Sequence, residues 1–145
     1  MAGRIFTTLL SVILLFTVCP AAGFSQEAQH AQGGADRLAV LWTSGDADVA
    51  HRVTFMYTHN AKKVGWFDEV TLIVWGPSQR ILVGDKELQA KVKAMQEDGV
   101  IVEACIACAM EYGVVDQLKA LGITVRGMGV PLTNYLKSDW KVLVF

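Results

Sequence analysis

Three times along the chain a helical pattern stops at a glycine and a strand pattern follows at once, at Lys62-Lys63-Val64-Gly65, Gln96-Glu97-Asp98-Gly99 and Lys119-Ala120-Leu121-Gly122. Glycine enters the left-handed conformation that closes a helix without the clash a Cβ would bring, so each is a stop signal with a physical cause. The apolar runs Leu38 to Trp42, Val70 to Trp75, Val100 to Ala104, Ile123 to Met128 and Val142 to Phe145 are short, rich in Val and Ile, and mostly without strict alternation. Such runs suit strands buried on both faces. Between them Val49, Val53, Met56, Tyr57, Ala61 and Val64 keep helical spacing, as do Leu88, Val92 and Met95, and Val114, Leu118 and Leu121. Strands alternating with helices imply right-handed crossovers. The expected fold is therefore an α/β domain of three α/β/α layers around a five-stranded, mainly parallel sheet, a flavodoxin-like architecture.

A chain of 145 residues has room for one such domain, and 52% hydrophobic against 19% charged residues describes a packed interior, not a disordered chain. Thirteen Lys+Arg against fourteen Asp+Glu leave a net charge of -1 with no basic block, which argues against nucleic acid as a partner. Neither G-x-x-x-x-G-K-[ST] nor G-x-G-x-x-G occurs, so no nucleotide cofactor is expected.

The amino terminus reads as an address. Arg4 supplies a short positive start, Ile5 to Val18 is uncharged and apolar, and Cys19-Pro20-Ala21-Ala22-Gly23 follows. Pro20 and Gly23 end the run too early for a spanning helix of about 20 residues, so residues 1–23 are expected to be a secretory signal removed before Phe24. Bulky Val18 and Pro20 around Cys19 argue against acylation there. Removal takes away Arg4 and no acid, moving the net charge from -1 to -2. Residues 24–36 lack periodicity and read as a flexible lead-in, leaving 37–145 as the domain. The expected product is exported, periplasmic or secreted, with no stable membrane anchor.

In an open parallel sheet, ligands and reactive groups gather beyond the carboxyl ends of the strands. The residues expected there are Thr43-Ser44-Gly45-Asp46, Gly76-Pro77-Ser78, Cys105-Ile106-Ala107-Cys108 and Gly129-Val130-Pro131-Leu132-Thr133. Ser44, Trp75, Met128 and Thr133 are candidate pocket residues, with Asp46 or Ser44 also suited to cap the following helix. The chemistry rests on the C-x-x-C pair. A thiol at a strand-to-helix junction meets unpaired N–H groups and the positive end of the helix dipole, which favour the thiolate and make Cys105 a candidate nucleophile. Cys108, one turn later, lies on the same side as a resolving partner, while Glu103 and Glu111 act against the thiolate. Other readings of the pair are two packed hydrophobes, a disulfide, or part of a thiolate site for copper(I) or zinc. His51 and His59 read as ordinary helix-surface residues and no metal site is assigned.

The opening Leu-Ala-Val-Leu-Trp-Thr-Ser-Gly-Asp, the central Ala104-Cys105-Ile-Ala-Cys108-Ala with Tyr112-Gly113-Val114, and the ending Met128-Gly129-Val130-Pro131-Leu132-Thr133 together resemble the DsrE/DsrF-like superfamily over Leu38 to Phe145. That resemblance implies a sulfur-relay role, with a persulfide on a cysteine placed eight residues before a helix-closing glycine. Cys105 and Gly113 have that spacing, whereas Cys108 has no counterpart in the carrier motif. It implies as partners a sulfane-sulfur donor and an acceptor thiol, and homo-oligomers, trimers or hexamers, with the cysteine loop near a subunit boundary. Two features depart from the pattern: Glu111 and Tyr112 stand where basic residues are common before the glycine, and the well-understood relays are cytoplasmic.

Overall fold

The computed structural model describes residues 36–145; the expected signal, Cys19 and the lead-in up to residue 35 lie outside the described residues. The order of elements is β1 (Arg37–Trp42), α1 (Ala47–Val49), a π-helical stretch (Ala50–Thr54), α2 (Phe55–Lys63), β2 (Glu69–Val74), α3 (Ser78–Gly84), α4 (Lys86–Glu97), β3 (Ile101–Cys105), α5 (Ile106–Glu111), α6 (Val115–Ala120), β4 (Thr124–Arg126), α7 (Gly129–Lys137) and β5 (Lys141–Val144). The expected glycine stops are real: Gly65, Gly99 and Gly122 have φ of 76°, 90° and 74°.

All strand pairs are parallel, in the order β4-β3-β2-β1-β5. From β1 to β4 the chain steps one strand at a time in the same direction. Right-handed crossovers then place the first three connections on one face. The last connection runs back across the sheet to β5, so α7 alone must cover the other face. The packing agrees. Leu38, Val40, Leu72, Val74 and Val102 pack with Phe55, Leu82, Leu88, Val92, Met95 and Leu118 of the helices. On the opposite face Ala39, Ile73 and Cys105 pack with Met128 and with Leu132 and Tyr135 of α7. The expected three layers are present, one built from many helices and one from a single helix.

Two local expectations are corrected. The first helix does not bury Val49, Val53, Met56, Tyr57, Ala61 and Val64 as one face. Val53, Met56 and Val64 are 42%, 57% and 57% exposed, whereas Ala50, Phe55, Thr58 and Ala61 are buried. The π-helical stretch widens the turn and shifts the phase. Phe55 is then placed edge-on to Trp42, with ring centroids 4.8 Å apart. The second correction concerns Gly129 to Thr133, expected directly beyond a strand that runs from Ile123 to Met128. These residues form the first turns of α7, and β4 ends at Arg126 instead of running to Met128. Among the described residues no helix is long and apolar enough to cross a membrane.

Candidate functional site

The connection topology singles out one crevice. The connections leaving β1, β2 and β3 go to the many-helix face, and the one leaving β4 goes to the α7 face. Adjacent β3 and β4 therefore send the chain in opposite directions, and the gap above their carboxyl ends is where open α/β sheets bind and react. Cys105 is the last residue of β3 and is in register with Arg126, the last residue of β4.

Cys105 is only 5% exposed. With φ -72° and ψ 116° it is the extended residue before α5, but its side chain makes no capping hydrogen bond to that helix. The thiol turns onto the α7 face beside Ala39, Ile73 and Met128. The expected help from helix N–H groups is therefore not made through a cap. Cys108, on α5, is half-buried and packs against the same cluster. Burial pushes its thiol above the ordinary value; the backbone N–H of Gly76 pulls the other way, and the adjacent Cys105 and Glu111 push further up. Gly76, in the turn after β2, holds φ 69°, a left-handed conformation. Both cysteines are thiols here.

Sequence reasoning missed Gln79. It is fully buried on α3, and its Nε2 donates to the carbonyls of Val74 at 3.1 Å and Cys105 at 2.9 Å. It thus links the carboxyl ends of β2 and β3 and fixes the backbone from which the Cys105 thiol projects. Its signal was a polar residue three positions before Leu82 on the face of α3 that is buried. Ser78 works alongside it, donating to Trp42 O at 2.7 Å.

A polar group lies on the same face as Cys105, one pleat back along β3. Glu103 is 5% exposed, and one carboxylate oxygen pairs with Nη2 of Arg126 at 2.7 Å. Its Oε2 and the Thr71 Oγ1 are buried without a hydrogen-bond partner. The Tyr135 phenol of α7 faces Thr71 and Glu103, and burial raises its pKa. Glu103, read from sequence as acting against a thiolate, thus has a cation of its own. Arg126 was not singled out from sequence, because only the β3–β4 register brings it beside Cys105.

The other candidates disperse. Trp75 and Met128 join the α7-face cluster around Cys105, Trp75 partly exposed and Met128 at 1%. Ser44 accepts from the Asp46 N–H at 3.1 Å within the β1 turn. Asp46 caps α1, accepting from Asp48 N–H at 2.8 Å. Thr133 is exposed and donates to the Gly129 carbonyl at 2.8 Å along α7. His51 faces Asp85 at 3.3 Å and His59 faces Asp98 at 2.6 Å, as helix-surface pairs. No cluster of three metal-ligating side chains occurs among the described residues. Open grooves of about 270 and 460 Å³ lie between helices, and neither touches a cysteine.

This arrangement has known relatives. A solved structure of a conserved protein of unknown function, BT1422 from Bacteroides thetaiotaomicron, is similar with a TM-score of 0.73 and 38% identity, over 76% of this chain and 95% of that one. No curated protein matches significantly. The sequence profile of the DsrE/DsrF-like family matches residues 37–145, the whole of the sheet and its helices. By that match, the chain belongs to the DsrE/DsrF-like family.

Proposed function

We propose that the protein is an exported sulfur carrier or thiol-exchange protein in which Cys105 holds sulfane sulfur as a persulfide and Cys108 is its resolving thiol. One observation carries this reading: Cys105 stands at the crevice where the connections from β3 and β4 diverge, with Cys108 against it.

In the loading step the Cys105 thiolate attacks the outer sulfur of a donor persulfide, R–S–SH. The donor S–S bond breaks, R–S⁻ leaves with the electron pair, and Cys105 becomes Cys–S–SH. An acceptor thiolate then attacks that outer sulfur and returns Cys105 as thiolate, so the two transfers need no external electrons. Resolution is a separate outcome. The Cys108 thiolate attacks the inner sulfur, forming a Cys105–Cys108 disulfide and expelling hydrosulfide, and a dithiol reductant restores both thiols. Burial keeps the Cys108 proton on at neutral pH, which protects a stored persulfide from this discharge.

Intact mass after exposure to a persulfide donor tests the reading. The expected result is a reductant-sensitive gain of one sulfur atom that disappears in Cys105→Ser. Loading that survives Cys105→Ser sinks the assignment. Export after removal of residues 1–23 is part of the proposal, and amino-terminal sequencing of secreted or periplasmic material checks it.

A second reading is favoured by burial. At 5% exposure Cys105 also fits a packing residue in a non-catalytic binding module, and Ile101, Met110, Val130 and Leu136 are 51%, 68%, 72% and 63% exposed, apolar surface suited to a homo-oligomer contact. Native thiols that resist alkylation select that reading. Light scattering on the eluting protein tests the trimer or hexamer.

A further inference from the structure

Glu103 and Arg126 are a charged pair beside Cys105 on the α7 face of the sheet, and the proposed sulfur chemistry does not use them. Arg126 stands opposite Cys105 in the β3–β4 register, on a strand about 4.8 Å away. Glu103 lies on the same face two residues before Cys105, about 6.6 Å along the strand. The Arg126 side chain is 46% exposed and that of Glu103 7%, so the ion pair holds the guanidinium along the β3–β4 edge with one side on Glu103 and the other in water. Its single ion pair among the described residues runs through Nη2 alone. A guanidinium presents five N–H donors, so most remain for a ligand.

From this juxtaposition we propose that Arg126, braced by Glu103, is the anion-recognition residue of the cysteine site, and that the donor is a small sulfane-sulfur compound carrying a carboxylate or sulfonate next to its reactive sulfur. The inference rests on the proposed role of Cys105 and names the substrate class for it. Glu103 has a definite part. Buried beside a hydrophobic cluster, its carboxylate fixes the planar fork of Arg126 at the sheet edge. The groups facing this centre are Cys108 and the anionic Glu111 on α5, Glu103 on β3, Arg126 on β4 and Tyr135 on α7; β2 contributes the neutral Thr71 and Ile73. Arg126 is the cation of the set. An incoming anion is drawn to it, and the loading step proceeds with the same bonds made and broken, R–S⁻ leaving with its charge beside the guanidinium.

The test separates charge recognition from thiol reactivity. In a Cys108→Ser background of the mature protein, Cys105 is alkylated with iodoacetate and with iodoacetamide, and the ratio of the two rates is read by mass. The fraction of thiolate cancels in that ratio, and so does any general opening of the site. Arg126→Gln is expected to lower the ratio by about threefold or more and Arg126→Lys to keep most of it, while Glu103→Gln, which releases the guanidinium from its brace, lowers it by less than Arg126→Gln. The persulfides of mercaptoacetate and mercaptoacetamide, an anionic and a neutral donor of the same shape, should show the same ordering in sulfur loading. A ratio indifferent to Arg126→Gln, or lost equally in Arg126→Lys, overturns the inference and leaves the role of Cys105 standing. A Cys105 that reacts with neither reagent overturns both.

Discussion

The two faces of the sheet solve the same burial problem with unequal means. Three crossovers lay helices over Leu38, Val40, Leu72, Val74 and Val102, making a deep apolar layer. The other face receives α7 alone, and there Ile73 and Ala39 share the space with Cys105, Glu103 and Thr71. The strand order is the cause, since only the return from β4 to β5 crosses that side. The thick face can be specialised for stability. On the thin face, polar side chains and the two thiols sit under one short helix, close to solvent, where opening costs less.

The largest expected difference comes from neighbours in β2 that point to opposite faces. Leu72 and Ile73 are both fully buried. Leu72→Ala should cost about 3–4 kcal/mol, because a layer packed on every side cannot close the cavity. Ile73→Ala should cost about 2 kcal/mol, since a single overlying helix can settle into the space. Urea unfolding of both variants measures this, and equal costs would break the contrast between the faces.

Gln79 reaches from the thick layer to the backbone carbonyl of Cys105. Gln79→Leu leaves the carbonyls of Val74 and Cys105 without their donor, at an expected cost of about 2 kcal/mol. It should also disturb Cys105 alkylation, while Leu72→Ala at matched native population should not. Thr71→Val is expected to be neutral or slightly stabilising, because the buried Thr71 hydroxyl has no partner to lose. A loss above about 1 kcal/mol would show that this hydroxyl is bonded after all, through Tyr135 or water.

The unequal legibility of the two faces in the sequence has a physical basis. Strands, glycine stops and the apolar faces of α4 and α6 are local patterns: Leu88, Val92 and Met95 are all fully buried, as expected from their spacing. The thick face is made of such patterns. α7 was hidden because Gly129 and Pro131 punctuate its first turn, and the seven residues of α3 follow Gly76-Pro77 in the same way. In the first helix the π-helical stretch broke the period itself. Cys105 was visible from its strand-to-helix position, whereas Arg126, Glu103 and Gln79 join it only through register and hydrogen bonds between distant segments. A sequence period cannot report which residue of β4 lies opposite which residue of β3.

The smallest expected effect sharpens the thin face further through pH. Cys108 has its proton held by burial, with the Gly76 N–H opposing and Cys105 adding to the upward shift. A raised thiol pKa means that the folded state binds the proton more tightly than the unfolded one. The stability it contributes is complete below the unfolded thiol pKa and fades as pH rises through the folded value. Stability of the wild type should therefore fall slightly more steeply on the alkaline side than that of Cys108→Ala, in unfolding midpoints measured above the ordinary cysteine range. Alkylation of Cys108, located by peptide mapping, should likewise need a more alkaline medium than free cysteine. Replacing Gly76 by Ala strains its left-handed turn and removes the opposing N–H from its place, so the alkylation midpoint should move higher still. If it moves lower, Gly76 is not the donor that balances burial at this sulfur, and the thin face holds its second thiol by packing alone.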